Sequence, residues 1–258
     1  MPSATPRPAA TVLLLRENQN QIEIFLQRRN PKATFVGGVY VFPGGKVDTQ
    51  DGNFPEHCLS LPAADANILQ QRGGLTSIIA AIRECFEESG ILLATHADGS
   101  EINNDAFNHS NFEKNRQAVL NQERTFADFC QEHEFKLAID QMAYLSQWIT
   151  PEPSPIRFDT HFFVSPMPNY QQGNHDGYES VESVWWTPSE ALEKQAQGDI
   201  QLILPTIRSL QQIRDFNQVT TAMDYFKANQ PTPTSDPKLL SLDGQIELVQ
   251  TPSLKGKS

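Results

Sequence analysis

No stretch of the chain is apolar over the roughly 20 residues that a membrane-spanning helix needs. The apolar run from Ala9 to Leu15 is too short for a signal peptide and reads as a first strand. Cysteine is scarce: Cys58, Cys85 and Cys130 form an odd, scattered set among 258 residues. That excludes a disulfide scaffold or a cysteine-rich zinc site and suits a reducing compartment. Positive charge is also short, with 20 Lys and Arg against 31 Asp and Glu and a net charge of −11. Such a balance argues against nucleic acid as a bulk partner. The ending Leu254-Lys255-Gly256-Lys257-Ser258 is not a peroxisomal address. A cytoplasmic protein with neither membrane nor nucleic-acid partners is expected. At 38% hydrophobic content the chain can bury one sizeable core, or a core plus an inserted subdomain.

The acidic residues gather most tightly in Arg83-Glu84-Cys85-Phe86-Glu87-Glu88-Ser89-Gly90-Ile91. In a helix, Glu84, Glu87 and Glu88 project within one narrow arc, while Ile78, Ile79, Ile82 and Phe86 point the opposite way. A Glu-rich helix face is ordinarily just solvated. Here the like charges at i,i+3 and i,i+4 repel, on an element whose other face is built for burial. Oxygen-only ligation of this kind suits a hard cation, Mg²⁺ or Mn²⁺, over zinc. Arg83 stands at i,i+4 to Glu87, placed to orient that carboxylate. Gly90 falls where a left-handed C-cap is wanted, and Ile91 supplies the cap's apolar contact. Cys85 fills an apolar slot of the same helix and is read as core. Upstream, Phe42-Pro43-Gly44-Gly45-Lys46-Val47-Asp48 reads as a strand end running into a glycine turn.

With these two segments the chain resembles the Nudix hydrolases. Their signature runs from a glycine through a spaced glutamate to Arg-Glu, a hydrophobe, a free position, Glu-Glu, a free position, Gly and a hydrophobe. Five fixed positions in that order arise by chance roughly once in several thousand chains of this length. The spaced glutamate would fall at Asp51, a shorter side chain, and residues 52–82 then separate it from Arg83. The signature is thus split by an insertion, taken to span 52–75. A branch resembling the acyl-CoA diphosphatases has such insertions. Trp148-Ile149-Thr150-Pro151, Arg157-Phe158-Asp159-Thr160 and Trp185-Trp186-Thr187-Pro188 are similar to that branch too. The resemblance covers about residues 8–220.

The resemblance implies an α/β fold, the Nudix α/β/α sandwich with a mixed sheet and helical insertions. It implies metal ligation by Glu84, Glu87, Glu88 and the backbone carbonyl of Gly45. Catalytic roles fall to Glu84, Arg83 and an acid from a later loop, with Glu179 favoured over Glu182 and Asp176. Arg29, Gly44 and Lys46 are expected to bind substrate. The implied reaction is Mg²⁺- or Mn²⁺-dependent hydrolysis of a diphosphate bond, most readily in coenzyme A or acyl-CoA. The products would be adenosine 3′,5′-bisphosphate and (acyl-)phosphopantetheine. CoA-cleaving members carry an extra motif ahead of the glycine turn. Leu26, Arg29, Gly38 and Phe42-Pro43-Gly44-Gly45 fit it, while Thr34 replaces its second arginine and Asn30 a small residue. ADP-ribose or NADH as substrate, and a nucleotide-sensing module without turnover, stand as alternatives. The partner is a small nucleotide, and a homodimer is left open.

Along the chain, residues 11–16 and 22–28 read as a hairpin, with a third strand over 37–42. The insertion reads as a loop with one or two helical turns, and Thr76 or Ser77 as the cap of the acidic helix. A strand is expected from Ile91. A helical insertion over about 104–139 holds two helices and contributes to a substrate pocket. Strands follow over 143–149, 159–164 and 182–186. On the last, Trp185 and Trp186 are read as core packing. A helix opens at Thr187-Pro188 and stops at Gly198, and another spans 205–216. Residues 229–258 form a Pro/Ser-rich tail, disordered or loosely docked.

Overall fold

The computed structural model describes residues 4–33, 36–61, 74–102, 109–152, 154–229, 238–242 and 245–249. Strand β1 (Arg7–Asn18) is buried without a break from Ala9 to Leu15, as its continuous apolar run requires of a strand covered on both faces. It turns through Gln19 and Asn20, both at positive φ (49° and 62°), into antiparallel β2 (Gln21–Arg29). Two positive-φ residues give the hairpin turn that matches strand twist.

The third strand is shorter than the sequence predicts. Only β3 (Tyr40–Val41) pairs with β2, because Gly37 and Gly38 lie in the turn. A Cβ on Gly37 would stand 2.7 Å from the Pro31 carbonyl, and Gly38 has φ +80°. Strand β4 (Gly44–Lys46) carries the glycine turn along the edge of β1. Two 3₁₀ turns follow, Thr49–Asn53 and Glu56–Cys58, so the first part of the insertion is the looped chain expected. The rest of the insertion, 62–73, lies outside the described residues.

The acidic helix α1 (Gly74–Ser89) opens ahead of Thr76 and Ser77. Neither residue is its cap: both sit inside the first turns, Ser77 buried. It stops at Gly90, which adopts φ +70°, with Ile91 fully buried behind it. The strand expected from Ile91 shrinks to β5 (Ala94–Thr95). The Gln171 side chain takes the backbone groups of Leu92 (2.8 and 2.9 Å) in place of a neighbouring strand.

The helical insertion holds α2 (His109–Leu120) and α3 (Phe126–Glu132), then β6 (Lys136–Leu137), which pairs with β5. The two helices pack mainly on the acidic helix. Phe86 of α1 stacks on Phe129 of α3 at 5.0 Å between ring centroids and meets Phe112 of α2 edge-on at 5.3 Å.

Strands β7 (Ala143–Ile149), β8 (Phe158–Pro166) and β9 (Ser180–Trp186) complete the sheet. Its order is β3-β2-β1-β8-β7, with β4 on β1 and β9 on β2. The β1–β8 pair is parallel and the others are antiparallel, so the sheet is mixed as expected. The remaining helices are α4 (Pro188–Gln197), α5 (Leu204–Ile213) and α6 (Val219–Ala228). Thr187 caps α4, accepting the Glu190 N–H, and Gly198 ends it at φ +82°. The sequence reading passed over α6.

Alternation along the strands divides the core into two halves, one under α1 and the insertion, the other under α4 to α6. Trp185 packs with the first and Trp186 with the second, so both serve the core. Helices on both faces of a mixed sheet make the α/β/α sandwich that was expected. In the tail, β10 (Lys238–Leu242) and β11 (Gln245–Val249) pair antiparallel as a separate two-stranded sheet. The signal passed over is Asp243-Gly244 between two apolar runs, a strong hairpin pattern that outweighs the surrounding proline and serine.

Because Phe129 joins the insertion to α1, Phe129→Ala should cost about 3–5 kcal/mol of stability. Urea unfolding followed by far-UV circular dichroism checks it, as a fall in the midpoint.

Candidate active site

A cavity of about 830 Å³ opens beside the glycine turn. The turn, β2, α1 and the loop before β9 supply its polar side: Arg29, Gly44, Gly45, Lys46, Arg83, Glu84, Glu87 and Glu179. The sequence places these residues up to 150 positions apart, and the fold brings them to one wall. Glu88 is set behind them, 4% exposed, its carboxylate accepting the Gly44 N–H at 3.0 Å. Of the described insertion residues, Leu120 and Gln122 line the cavity.

A Cβ on Gly45 would lie 2.5 Å from the Glu84 carboxylate, so a larger residue there would displace that side chain. The turn backbone and the first carboxylate are thus pressed together. Thr11 anchors the turn from β1, its hydroxyl donating to the Pro43 carbonyl at 2.6 Å.

Arg83 is 2% exposed and spends every donor inside the protein. Its Nε and Nη2 make a bidentate pair with Asp51 at 2.9 and 3.0 Å. Nη1 reaches Glu84 at 3.0 Å and Glu87 at 3.2 Å, and Nη2 also donates to the Lys46 carbonyl at 2.9 Å. Asp51 is equally buried, at 2%. The short acid in the family's glutamate position therefore meets the arginine directly, across the inserted segment.

Of the three late acids, only Glu179 lines the cavity. Asp176 instead accepts the N–H groups of Tyr178, Glu179 and Ser180 (2.9 to 3.1 Å) and shapes the loop. Glu182 takes the Tyr40 hydroxyl at 2.7 Å and faces Arg28 at 3.8 Å. Among the cations near the turn, Arg29 and Lys46 line the cavity, and the Arg29 Nε is buried with no partner among the described residues. Thr34 lies outside the described residues.

The acids are held at an electrostatic disadvantage. Burial pushes the Glu84 carboxyl up to about 7; Arg83 opposes the rise, and Glu87 and Glu179 add to it. Burial raises Glu87 as well. Glu88 lies well above the ordinary range through burial first and the charge of Glu84 second. On Arg83, burial works against the charge, but the Asp51 hydrogen bond and the charges of Glu84 and Glu87 outweigh it and raise its pKa.

Among the described residues, no three acidic, His or Cys side chains converge to ligand distance. Glu84 and Glu87 lean on Arg83, and Glu88 leans on the Gly44 amide. Donor type and charge fit a hard divalent cation, since crowded, proton-retaining carboxylates are what such an ion would relieve.

Two supports escaped the sequence reading. Arg116 of α2, 4% exposed, donates to the carbonyls of Glu87 (2.9 Å) and Glu88 (2.7 Å). It thereby caps the open end of the acidic helix. Gln27, fully buried on β2, donates to the same Glu88 carbonyl at 3.1 Å. No local pattern marks either residue. The one available hint is an arginine on a helix face that is otherwise apolar, with Phe112 and Val119.

The mixed sandwich, the glycine turn and the arginine-braced acidic helix define a Nudix-type domain. The chain belongs to the family described as the NUDT19 Nudix domain, whose model matches residues 71–213. It is 28% identical to the acyl-coenzyme A diphosphatase NUDT19 of Xenopus laevis over 235 residues, 78% of this chain and 62% of that protein. The protein of the same name from Homo sapiens is 28% identical over 255 residues, 83% of this chain and 64% of that one. The chain thus spans just under two thirds of the length of these relatives. A Nudix hydrolase from Alicyclobacillus acidocaldarius shares the fold, with a TM-score of 0.70 at 22% identity over 86% of this chain and 96% of the other.

The raised carboxyls set a pH dependence. Folded Glu84 holds its proton up to about 7, whereas the unfolded carboxyl releases it near 4.3. Between those values the folded chain binds more protons, so the metal-free protein should gain stability as pH falls from 7 toward 5. Thermal unfolding in chelator should show Tm rising over that range, with a shallower slope in Glu84→Gln. An unchanged slope in the variant would place the titration elsewhere.

Proposed function

We propose that the chain hydrolyses the diphosphate bond of coenzyme A or an acyl-CoA, giving adenosine 3′,5′-bisphosphate and (acyl-)phosphopantetheine. The observation that carries the reading is the meeting of Glu84, Glu87 and Gly45 with Arg29, Lys46 and Glu179 around one cavity. Resemblance to the two acyl-coenzyme A diphosphatases directs it to this substrate. In this reading Glu84, Glu87, Glu88 and the Gly45 carbonyl hold Mg²⁺ or Mn²⁺. Bound there, the ion supplies charge neutralisation of the phosphates and a more acidic water.

The chain's own groups do the rest. Glu179, the exposed acid opposite α1, accepts a proton from the attacking water at its carboxylate, a step typically worth 10²–10⁴-fold. Arg29 and Lys46 pair with phosphate oxygens; the unpartnered Arg29 Nε is the free donor. Arg83 has no donor left for substrate and acts by holding Glu84 and Glu87 in place. A net charge of −11 would repel a polyanion, so bound cations and these two side chains must reverse the local sign.

A cytoplasmic setting accords with the three unpaired, buried cysteines. Among the described residues, no helix is long and apolar enough to cross a membrane.

A mass-resolved assay with Mg²⁺ or Mn²⁺ against CoA, acetyl-CoA, ADP-ribose and NADH tests the reading. Adenosine 3′,5′-bisphosphate should appear from the CoA compounds, and Glu88→Gln should nearly abolish it while the circular dichroism spectrum stays intact. AMP from ADP-ribose or NADH alone would replace the substrate, and full activity in Glu88→Gln would overturn the site.

A further inference from the structure

The cavity has a second wall that differs in kind from the acidic one. Trp148 of β7, Phe158 and Phe162 of β8, and Leu204 and Pro205 of α5 make it apolar. The cavity's cations, Arg29, Lys46 and Arg83, come instead from β2, β4 and α1.

Into this apolar wall the N-terminus of α5 brings polar groups that the protein does not use. Its N-cap is Ile203, which makes no side-chain cap hydrogen bond. The first amide of the helix to find an acceptor is Ile207, which donates to the Ile203 carbonyl at 3.0 Å. The N–H groups of Leu204 and Thr206 have no acceptor among the described residues, and Pro205 has none to give. Thr206 also lines the cavity, is 1% exposed, and its hydroxyl has no partner among the described residues. Ser209, one turn on and equally buried, donates normally to the Pro205 carbonyl at 2.9 Å. The hydroxyl and the two first-turn amides are donors that the protein leaves free for whatever enters the cavity.

We propose that the start of α5 and the Thr206 hydroxyl form a subsite for a neutral hydrogen-bond acceptor, an amide carbonyl carried on an aliphatic arm. This rests on the CoA reading above and assigns the apolar wall to the phosphopantetheine half of the substrate. The surroundings select the acceptor. A phosphate dianion in this wall would be stripped of water with no cation beside it, a costly placement. The proline also removes one of the amides that a phosphate cradle at a helix start uses. A carbonyl needs only one or two donors, and its methylene neighbours gain from Trp148 and Phe162.

The test is calorimetric titration of the full chain, with Mg²⁺ present, against 4′-phosphopantetheine and adenosine 3′,5′-bisphosphate. Thr206→Val keeps the side-chain shape and removes the hydroxyl. It should weaken phosphopantetheine about three- to tenfold, the worth of one net hydrogen bond. Binding of the bisphosphate should be unmoved, and Thr206→Ser should bind as the native chain does. Weakening of the bisphosphate instead would hand the wall to the nucleotide half and overturn the subsite. Equal losses in Thr206→Val and Thr206→Ser would reduce Thr206 to packing and overturn it too. If the native chain binds both compounds and Thr206→Val is indistinguishable from it, the subsite alone falls. Should the native chain bind neither, the CoA reading falls and the subsite with it.

Discussion

The guanidinium of Arg83 lies buried among four carboxylates, and the arrangement around the cavity follows from how it is satisfied. Burying a charge is costly unless hydrogen bonds replace the lost water. Asp51 provides the bidentate part of that replacement from the turn beyond β4, and Glu84 and Glu87 provide the remainder from the helix itself. The same contacts fasten three separate segments: the glycine turn through the Lys46 carbonyl, the 3₁₀ turn through Asp51, and the acidic helix. One cation cannot offset all the acid around it. Burial first, and the surplus acid second, make Glu84 and Glu88 hold their protons well into the range where free carboxyls have lost them, and a doubly charged ion is the natural complement.

How much of this was legible in the sequence depended on the range of the interactions involved. The acidic helix, its glycine stop and the Arg83–Glu87 pairing are local, set by 3.6-residue periodicity and i,i+4 contact, and residues 74–90 displayed them openly. The β1–β2 hairpin and the Thr187 cap were visible for the same reason. Strand extents were not, because the carbonyl contact that Gly37 would clash with and the Gln171 side chain that shortens β5 are tertiary. Thr76 and Ser77 point to a helix start later than the observed one, since good capping residues also occur inside helices. In the tail, the proline and serine content masks the Asp243-Gly244 hairpin pattern.

Within the site, the residues found were those in the signature segments. Of the late acids, Glu179 could be separated from Glu182 and Asp176 only once the β2–β9 register and the turn hydrogen bonds were seen. Arg116 and Gln27 act on the open carbonyls at the end of the acidic helix from 28 and 61 residues away. Asp51 departs from the family pattern, and its short side chain fits the buried arginine. The helical insertion is thus more than decoration: its aromatic face packs the back of the acidic helix, and its arginine caps that helix.

In the proposed function, the buried carboxylates around Arg83 hold a divalent cation. Calorimetric titration of Mn²⁺ into the chain, repeated in buffers of different ionisation heat, tests it most directly. Saturable binding is expected, accompanied by proton release that shrinks as the pH is raised above 7, with binding weakened severely in Glu84→Gln and Glu88→Gln. Absence of binding, or binding that neither releases protons nor responds to these substitutions, would contradict it.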